Sequence, residues 1–392
     1  MGISKLVKLV AVGLGLGVLG NTAMAQLYPS SCSSIISQVQ SCNGNASCIA
    51  TYQEMHPECF GSSSNTAVAT QQIGSTSLQQ VLAISNAVSS RLNNLSALPG
   101  ATADSGQRFG MAAGNTGSKW NAWVSVNDDK NKYDRGGFTD PAIDGTTVHN
   151  NKANVDVTNA VFGADYIVSP LWTVGLSVAF DNGSGSTESF KQVGGIMTSN
   201  GVSNMSTDGY TVAPYAAMLI NQNWSLDATL GFGKGKLSSD GGLTGKNDRQ
   251  FYGMNLNYAK WHGNWQITGK GSYFYGEEKY DDLNNAGFGT LKGTATKNKL
   301  DQLRLGGQAG YWMDGVMPYI GLAYSGDLNH SSSATAGVQM GTEIGKSAWL
   351  CSVGVNFFSL KNGITGGIAY NQESGRDHAK HDGLIANISF RF

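Results

Sequence analysis

The sequence predicts an all-β fold: a transmembrane antiparallel β-barrel of about 12 strands, with a lumenal α-helix and a small disulfide-bonded helical segment ahead of it. Gly accounts for 53 of 392 residues, about twice the roughly 7% of ordinary soluble proteins. Only 14% of the residues are charged, against roughly 25% in such proteins. Apolar residues alternate with small or polar ones over many short segments, which is typical of strands with one lipid-facing side. The connections between these segments alternate between short and long. The mean hydropathy of −0.20 argues against a membrane protein built from apolar helices.

The N-terminal residues 1–25 are predicted to be a secretory signal peptide. Lys5 and Lys8 precede an apolar stretch, Leu9–Gly20, which is too short to cross a bilayer as a helix. Ala23-Met24-Ala25 places small residues where the signal peptidase needs them, so we expect cleavage before Gln26. An uncleaved anchor is the alternative. Export from the cytoplasm permits disulfide bonds.

Residues 26–60 hold four cysteines, Cys32, Cys42, Cys48 and Cys59. The segments between the first pair and between the last pair are each long enough for two to three helical turns, and Asn43-Gly44-Asn45 predicts a turn between them. Four cysteines allow three pairings. A helical hairpin favours Cys32–Cys59 and Cys42–Cys48, because antiparallel helices bring those ends together. A zinc site is the alternative, although the C-x2-C spacing is missing.

Residues 61–76 are rich in Ser, Thr, Asn and Gln and are predicted to be a flexible linker. Residues 77–98 predict one helix, with Pro99-Gly100 ending it. Its apolar residues form a narrow stripe: Leu78, Val81, Leu82, Val88, Leu92 and Leu95. Polar residues, Ser89 among them, occupy the remaining surface. Such a helix suits a polar barrel lumen, and a coiled coil is the alternative. Residues 99–118 form a connector to the barrel.

Residues 119–392 are predicted to form the barrel. Apolar residues occupy one face of Thr173–Phe180, Trp224–Gly233 and Leu384–Phe392, while small or polar residues occupy the other. We expect 12 strands, beginning near Trp120, Asn159, Trp172, Tyr210, Trp224, Phe251, Trp265, Leu300, Val316, Trp349, Ile364 and Leu384. A β-sandwich is the alternative, in which the apolar face would pack against a second sheet.

The predicted connections alternate in length. Long loops are expected at Asp128–Val157, Asp181–Asp208, Lys236–Arg249, Glu277–Lys299, Gly326–Lys346 and Gln372–Asp382. Short turns are expected near Ser169-Pro170, Asn221-Gln222-Asn223, His262-Gly263-Asn264, Asp314-Gly315 and Lys361-Asn362-Gly363. Six tryptophans fall at the short-turn end, where an interfacial girdle is expected: Trp120, Trp172, Trp224, Trp261, Trp265 and Trp312. An even strand count places both barrel ends in the periplasm.

Several stretches, in this order, resemble the autotransporter β-domain of Gram-negative bacteria. They are Ser90-Arg91-Leu92, Gly110-Met111-Ala112-Ala113-Gly114, Trp120-Asn121-Ala122-Trp123-Val124, Phe162-Gly163-Ala164-Asp165-Tyr166, Pro318-Tyr319-Ile320-Gly321-Leu322-Ala323-Tyr324 and Ser389-Phe390-Arg391-Phe392. The resemblance implies that the barrel-assembly machinery recognises Phe390 and Phe392.

The resemblance also implies a hypothesis of self-cleavage between Asn93 and Asn94, aided by inward-facing carboxylates of the barrel such as Asp165 and Asp227. Two polar residues at a helix end are the simpler interpretation.

Other candidate chemistry is sparse. His378-Ala379-Lys380-His381 has a spacing that binds metal on a helix, but it falls in a predicted outer loop beside Asp377 and Asp382, where a solvated polar loop is the simpler interpretation. The nucleophile motif G-x-S-x-G and the zinc motif H-E-x-x-H are missing from the sequence. Cys351 lies on the predicted lipid-facing side. The sequence therefore predicts neither a cofactor nor an enzyme.

The functional expectation is a barrel of the Gram-negative outer membrane that anchors and helps export its own short N-terminal segment without catalysis. Expected partners are outer-membrane lipid, the barrel-assembly machinery and a host or surface ligand of unknown identity. Nucleic acid is excluded as a partner, because 26 basic residues against 27 acidic ones leave no positive excess. A porin-like channel and a surface-loop adhesin are the alternatives.

Overall fold

The computed structural model describes residues 38, 41–42, 48 and 81–89, and residues 119–392 except 140–147, 194–195, 241, 286–288, 291–294, 334–343 and 360–361. Cys42 and Cys48 are joined by a disulfide with a Cα–Cα distance of 5.7 Å. This is one of the two pairings expected of a helical hairpin, and it excludes a zinc site made of four free thiolates. Cys32, Cys59, the signal peptide, the linker and the connector lie outside the described residues.

Twelve long strands form the barrel. In chain order they are β1 (Trp120–Thr139), β2 (Val148–Ser169), β3 (Trp172–Val193), β4 (Ile196–Leu219), β5 (Trp224–Ser239), β6 (Leu243–His262), β7 (Trp265–Tyr280), β10 (Thr296–Tyr311), β11 (Val316–Ser333), β12 (Ser347–Ser359), β13 (Ile364–Ser374) and β14 (Ala379–Arg391), with the two-residue strands β8 (Asn284–Asn285) and β9 (Gly289–Thr290) between β7 and β10. The predicted strand number is confirmed.

The sheet closes on itself. Each long strand pairs antiparallel with its neighbour in sequence, and β1 pairs with β14 from Asn121↔Arg391 to Tyr133↔Ala379. Closure through β1 and β14 leaves no exposed barrel edge, so every strand finds backbone partners on both sides, as a membrane requires. The β-sandwich alternative is therefore excluded.

The strands extend much further than the sequence predicted. The six strands that follow a short turn, or open the barrel, begin at the expected residues, from Trp120 to Ile364. Their partners begin earlier: β2 at Val148 rather than Asn159, and β4 at Ile196 rather than Tyr210. The predicted long loops Asp181–Asp208 and Lys236–Arg249 are mostly paired strand. Backbone pairing continues beyond the lipid because polar residues on both faces suit a sheet in water just as well.

Exposure along the strands confirms the predicted alternation. On β3, Leu176 and Phe180 are 51% and 54% exposed, whereas Thr173 and Ser177 are 2% and 1% exposed. The terminal residue Phe392 is 68% exposed on the same outer side. The apolar residues therefore form the outer, lipid-facing surface, and the small and polar residues line the lumen. Cys351 is a free, exposed cysteine, as expected on that surface.

Aromatic side chains bound the apolar surface at both ends. Four of the six predicted girdle tryptophans are exposed at the short-turn end: Trp120, Trp172, Trp224 and Trp265. Exposed tyrosines form the opposite rim: Tyr210, Tyr252, Tyr324 and Tyr370. The prediction is wrong for Trp261 and Trp312, which face inward and pack against Met317 and Phe358. Trp261 lies on the lumenal side of β6, and Trp312 directly follows β10. A position near a turn does not show whether a side chain faces the lipid or the lumen.

Candidate functional site: the occupied lumen

A helix formed by residues 81–89 lies inside the barrel. Val81, Ile84 and Val88 are at most 1% exposed and belong to one apolar cluster with residues of the barrel wall. The wall residues of this cluster are Trp123, Val161, Ala179, Ala213, Tyr215, Phe251, Phe274 and Leu300. A lumenal helix is thus confirmed for residues 81–89, and the coiled-coil alternative is excluded for them. Residues 77–80 and 90–98 of the predicted helix lie outside the described residues. Among the described residues, no helix has the length and apolar character of a membrane span.

Aromatic rings of the wall form the surface on which the helix packs. Three of them lie directly over glycines of the neighbouring strand: Trp123 over Gly163, Tyr215 over Gly175 and Phe251 over Gly231. A Cβ at any of these glycines would collide with the ring. Trp123 Nε1 donates to Tyr215 Oη at 2.8 Å, so the polar atoms of two rings satisfy each other. The high glycine content therefore provides an apolar platform within a polar lumen.

Two contacts fix the direction of the helix. Ser85 lies against Gly253, where a Cβ would meet the serine hydroxyl. One turn later, Ser89 Oγ accepts from Lys270 Nζ at 2.8 Å and donates to Asp227 Oδ2 at 3.4 Å. Asp227 lies three residues from Trp224, the first residue of β5 at the short-turn end. Gly253 pairs with Thr229, which lies two residues further from that end. The helix therefore runs from the long-hairpin side toward the short-turn end.

The two inward carboxylates named in the self-cleavage hypothesis are both buried. Asp227 accepts from Asn255 Nδ2 at 2.6 Å and from Asn257 Nδ2 at 2.8 Å. Asp165 accepts from Asn121 Nδ2 at 2.6 Å and from Tyr215 Oη at 3.3 Å. Each carboxylate is thus held by neutral donors of the wall. Asn93 and Asn94 lie outside the described residues, so the hypothesis stays a prediction.

Ser89 belongs to the predicted polar face of the helix, yet its side chain does not face solvent. It is fully buried, with 0% exposure, between Asp227 and Lys270. Hydrophobic periodicity misses it because the partners that bury it are themselves polar. Ile84 and Ala87 lie outside the predicted stripe, although both are buried in the helix–wall cluster.

Buried ion pairs cross the lumen further toward the long hairpins. Arg249 Nη1 lies 2.7 Å from Asp181 Oδ1 and its Nε lies 2.9 Å from Glu278 Oε1, with all three side chains at most 1% exposed. These pairs link β3, β6 and β7 across the barrel interior. All three residues lie in predicted long loops, so the local pattern does not indicate that their side chains face a lumen.

A second ion cluster joins the hairpin β13–β14 to β11. Arg376 Nη1 lies 2.7 Å from Asp327 Oδ2, and its Nε lies 2.6 Å from Glu373 Oε1. Arg376 also donates to the carbonyl of Gly345 at 2.8 Å. The guanidinium thus fastens the connection between β11 and β12 over the interior.

A lysine cluster lies on the outer surface beyond the tyrosine rim. Glu277, 12 residues along β7 from Trp265, has Lys297 at 2.9 Å, Lys279 at 3.2 Å and Lys299 at 3.9 Å. Burial alone would raise the pKa of the Glu277 carboxyl. Hydrogen bonds from Lys297, Tyr275 and Lys279 outweigh burial and lower this pKa to about 2.

The histidine pair is not the loop feature that the sequence predicted. His381 lies within β14, and its Nε2 is 2.9 Å from Asp129 Oδ1 on β1. His378 precedes β14 with a φ of 59°, in the left-handed region. The prediction of an outer loop is therefore wrong for His381, because β14 begins at Ala379. Within the described part of the chain, no three His, Cys, Asp or Glu side chains are arranged to hold a metal ion.

Comparison with known proteins agrees with this architecture. The autotransporter beta-domain family model matches residues 135–371, more than half of the chain. The translocator domain of the autotransporter NalP from Neisseria meningitidis is similar in structure, with a TM-score of 0.51 and 12% identity over 71% of this chain and 90% of that chain. No curated protein sequence matches the chain.

Two further solved structures give lower scores. The transport unit of the autotransporter AIDA-I from Escherichia coli has a TM-score of 0.49 and 13% identity, over 71% of this chain and 91% of that chain. The beta domain of the Bordetella autotransporter BrkA has a TM-score of 0.48 and 13% identity, over 70% and 100% of the two chains. Identities this low bear on the fold alone, and membership follows from the family match. The chain belongs to the autotransporter β-domain family.

Proposed function

We propose that this barrel anchors and helps export its own short N-terminal segment, residues 26–60, and that it performs no catalysis. Family membership implies a location in the outer membrane of a Gram-negative bacterium. One observation supports export: Ser85 lies at the level of Gly253 and Ser89 at the level of Asp227, nearer the short-turn end. Short turns are periplasmic in outer-membrane barrels. Val81, the first described residue of the helix, therefore lies at the helix end nearer the outer side, which supports export of the segment that precedes it.

Protease shaving of intact cells tests this proposal. An epitope placed after Gln26 should be lost on protease treatment while the barrel remains protected. An epitope beside Gly242, in the turn between β5 and β6, serves as the accessible control, and one beside Gly263, in the short turn between β6 and β7, serves as the protected control. If the Gln26 epitope survives in intact cells and is lost only after the outer membrane is opened, the segment is periplasmic and the proposal is wrong.

The size of the N-terminal segment restricts the order of events. A folded pair of helices is roughly 20 Å across, and the lumen already holds one helix. The proposal therefore requires the segment to cross before it folds, with the Cys42–Cys48 bond forming outside. Replacing both cysteines by Ser should leave surface exposure of the Gln26 epitope unchanged. A loss of exposure in this variant would show that oxidation precedes export.

The expected contact with the barrel-assembly machinery is also part of the proposal. Phe390 and Phe392 are 41% and 68% exposed on the lipid-facing side at the end of the chain. Both side chains therefore lie where another membrane protein can contact them.

Long hairpins support a second candidate, a surface-binding barrel. β3 and β4 contain 22 and 24 residues, whereas a membrane-spanning strand needs about 9–11. At about 3.3 Å per residue, the remainder extends roughly 35–45 Å along the strand direction beyond the membrane. Shortening the β3–β4 hairpin by a paired deletion of four residues from each strand should leave barrel insertion intact. Loss of binding to host cells or to neighbouring bacteria would then support the adhesin alternative.

A further inference from the structure

The described helix, residues 81–89, fills only part of the lumen. Beside it lies a cavity of about 250 Å³. Its lining reaches from Asn223 and Met317, next to the short turns, to Asn371 on β13. Several amide side chains line it: Asn86, Asn257, Gln266, Gln308, Asn356 and Asn387. The cavity wall is therefore rich in groups that both donate and accept hydrogen bonds.

Two cationic side chains, Lys270 and Arg304, also line this cavity, and the described residues of its lining include no Asp or Glu. Lys270 lies opposite Gly306, and Arg304 lies opposite Ser272 on the same strand pair. The two cations are thus diagonal neighbours on the lumenal face, a relation that separates Cα atoms by about 7–8 Å. Like charges at this spacing repel each other unless an anion lies between them.

Their hydrogen bonds leave donors available toward the cavity. Lys270 Nζ donates to Ser89 Oγ at 2.8 Å, which leaves two of its three protons. Arg304 Nη2 donates to Gln302 Oε1 at 3.1 Å. Arg304 Nε is buried and has no acceptor among the described residues. A buried guanidinium N–H without an acceptor is unfavourable, and its partner must come from outside the wall.

Carboxylates beyond the lining attract both cations: Asp227 attracts Lys270, and Glu373 and Asp327 attract Arg304. Each is already engaged, because Asp227 accepts from Asn255, Asn257 and Ser89. Asp327 and Glu373 are paired with Arg376, so neither accepts from Arg304 Nε. We propose that the cavity is a binding site for a small oxyanion, a phosphate or a carboxylate, which lies between Lys270 and Arg304. The Arg304 fork and the Lys270 ammonium are donors of matching geometry for such a group.

Phosphorus NMR on the full chain, folded in maltoside micelles, tests the site with inorganic phosphate as the probe. The wild type should broaden the phosphate resonance in a saturable way at constant ionic strength. Arg304→Gln and Lys270→Gln should each reduce the broadening at least fivefold. Lys234→Gln is the matched control, since Lys234 lies on the outer surface, 3.3 Å from Asp248, and it should behave as the wild type does.

The folded fraction of each variant is measured by the heat-dependent shift of folded barrels on a gel. If Arg304→Gln does not fold, Arg304→Lys replaces it, and the loss of the planar fork should still reduce broadening. Acetate added to the wild type distinguishes the two ligand sources: reversal of the broadening assigns the site to carboxylates as well, and no reversal assigns it to phosphate. Equal broadening by the wild type and by the Arg304 and Lys270 variants would overturn the proposal.

Discussion

Truncating Ile84 to Ala should release the helix from the lumen in a measurable fraction of molecules. The Ile84 side chain is 0% exposed, within the cluster of Trp123, Phe251 and Leu300. The substitution removes three carbon groups, worth about 0.8 kcal/mol each on burial, or about 2.4 kcal/mol together. The cavity left behind raises the loss to as much as about 5 kcal/mol, since the aromatic wall relaxes only partly. At about 1.4 kcal/mol per factor of ten, the undocked population should rise about 50-fold or more.

Single-channel recording in planar bilayers measures this population, because a displaced helix opens the water path. Ile84→Ala should spend at least about 50-fold more time in a high-conductance state than the wild type does. Ile267→Ala is the matched control: Ile267 is 49% exposed on the lipid-facing side of β7, so the same atoms are removed without touching the helix. Equal gating of the wild type and Ile84→Ala, or equal opening of both variants, would refute the assignment of the helix as the plug.

Three other outcomes are expected. Gly253→Val should lower the free energy of unfolding by about 1–3 kcal/mol, because a side chain there collides with Ser85. Gly269→Val is the control and should leave this free energy unchanged, because the nearest atom to a Cβ there is 3.9 Å away. Urea unfolding measures both variants. Deleting Phe392 should reduce the yield of outer-membrane barrel, measured by fractionation, since the chain loses the aromatic that follows β14 and is 68% exposed on the lipid-facing side. A normal yield would count against its role in assembly. The pKa of the Glu277 carboxyl is lowered from 4.5 to about 2. The free energy of unfolding of the wild type should therefore exceed that of Glu277→Gln by its full amount above pH 4.5, and this difference should disappear as the pH falls toward 2. A difference independent of pH would contradict this.

The barrel was predictable because its strongest signals are local. Alternation along Thr173–Phe180 fixes which side chains face lipid, since successive strand residues point to opposite faces. The short turns could also be read from the chain. Asp314 and Gly315 both have positive φ, at 45° and 93°, and Asp-Gly is the dipeptide that such a hairpin turn favours. Strand starts at the short-turn end were therefore predicted to the residue.

The far ends of the strands were not predictable in the same way. Beyond the membrane, neither face of a hairpin must be apolar, so β3 and β4 lose the alternation that marks them and the sequence resembles a loop. Trp261 illustrates the same limit at the other end. Its position along the chain places it at the interface, but the parity of β6 turns it inward against Met317.

The sequence by itself determined the strand number, the lipid-facing residues and the presence of a polar helix before the barrel, since each depends on a local pattern. Only the tertiary structure decided which lumenal side chains meet. Ser89 lies 138 residues from Asp227 and 181 residues from Lys270; Arg304 reaches the same cavity from another strand. Closure of the sheet brings these residues together, and polar contacts between distant strands leave no period in the sequence. The direction of the helix and the charge of the remaining lumen follow from that closure.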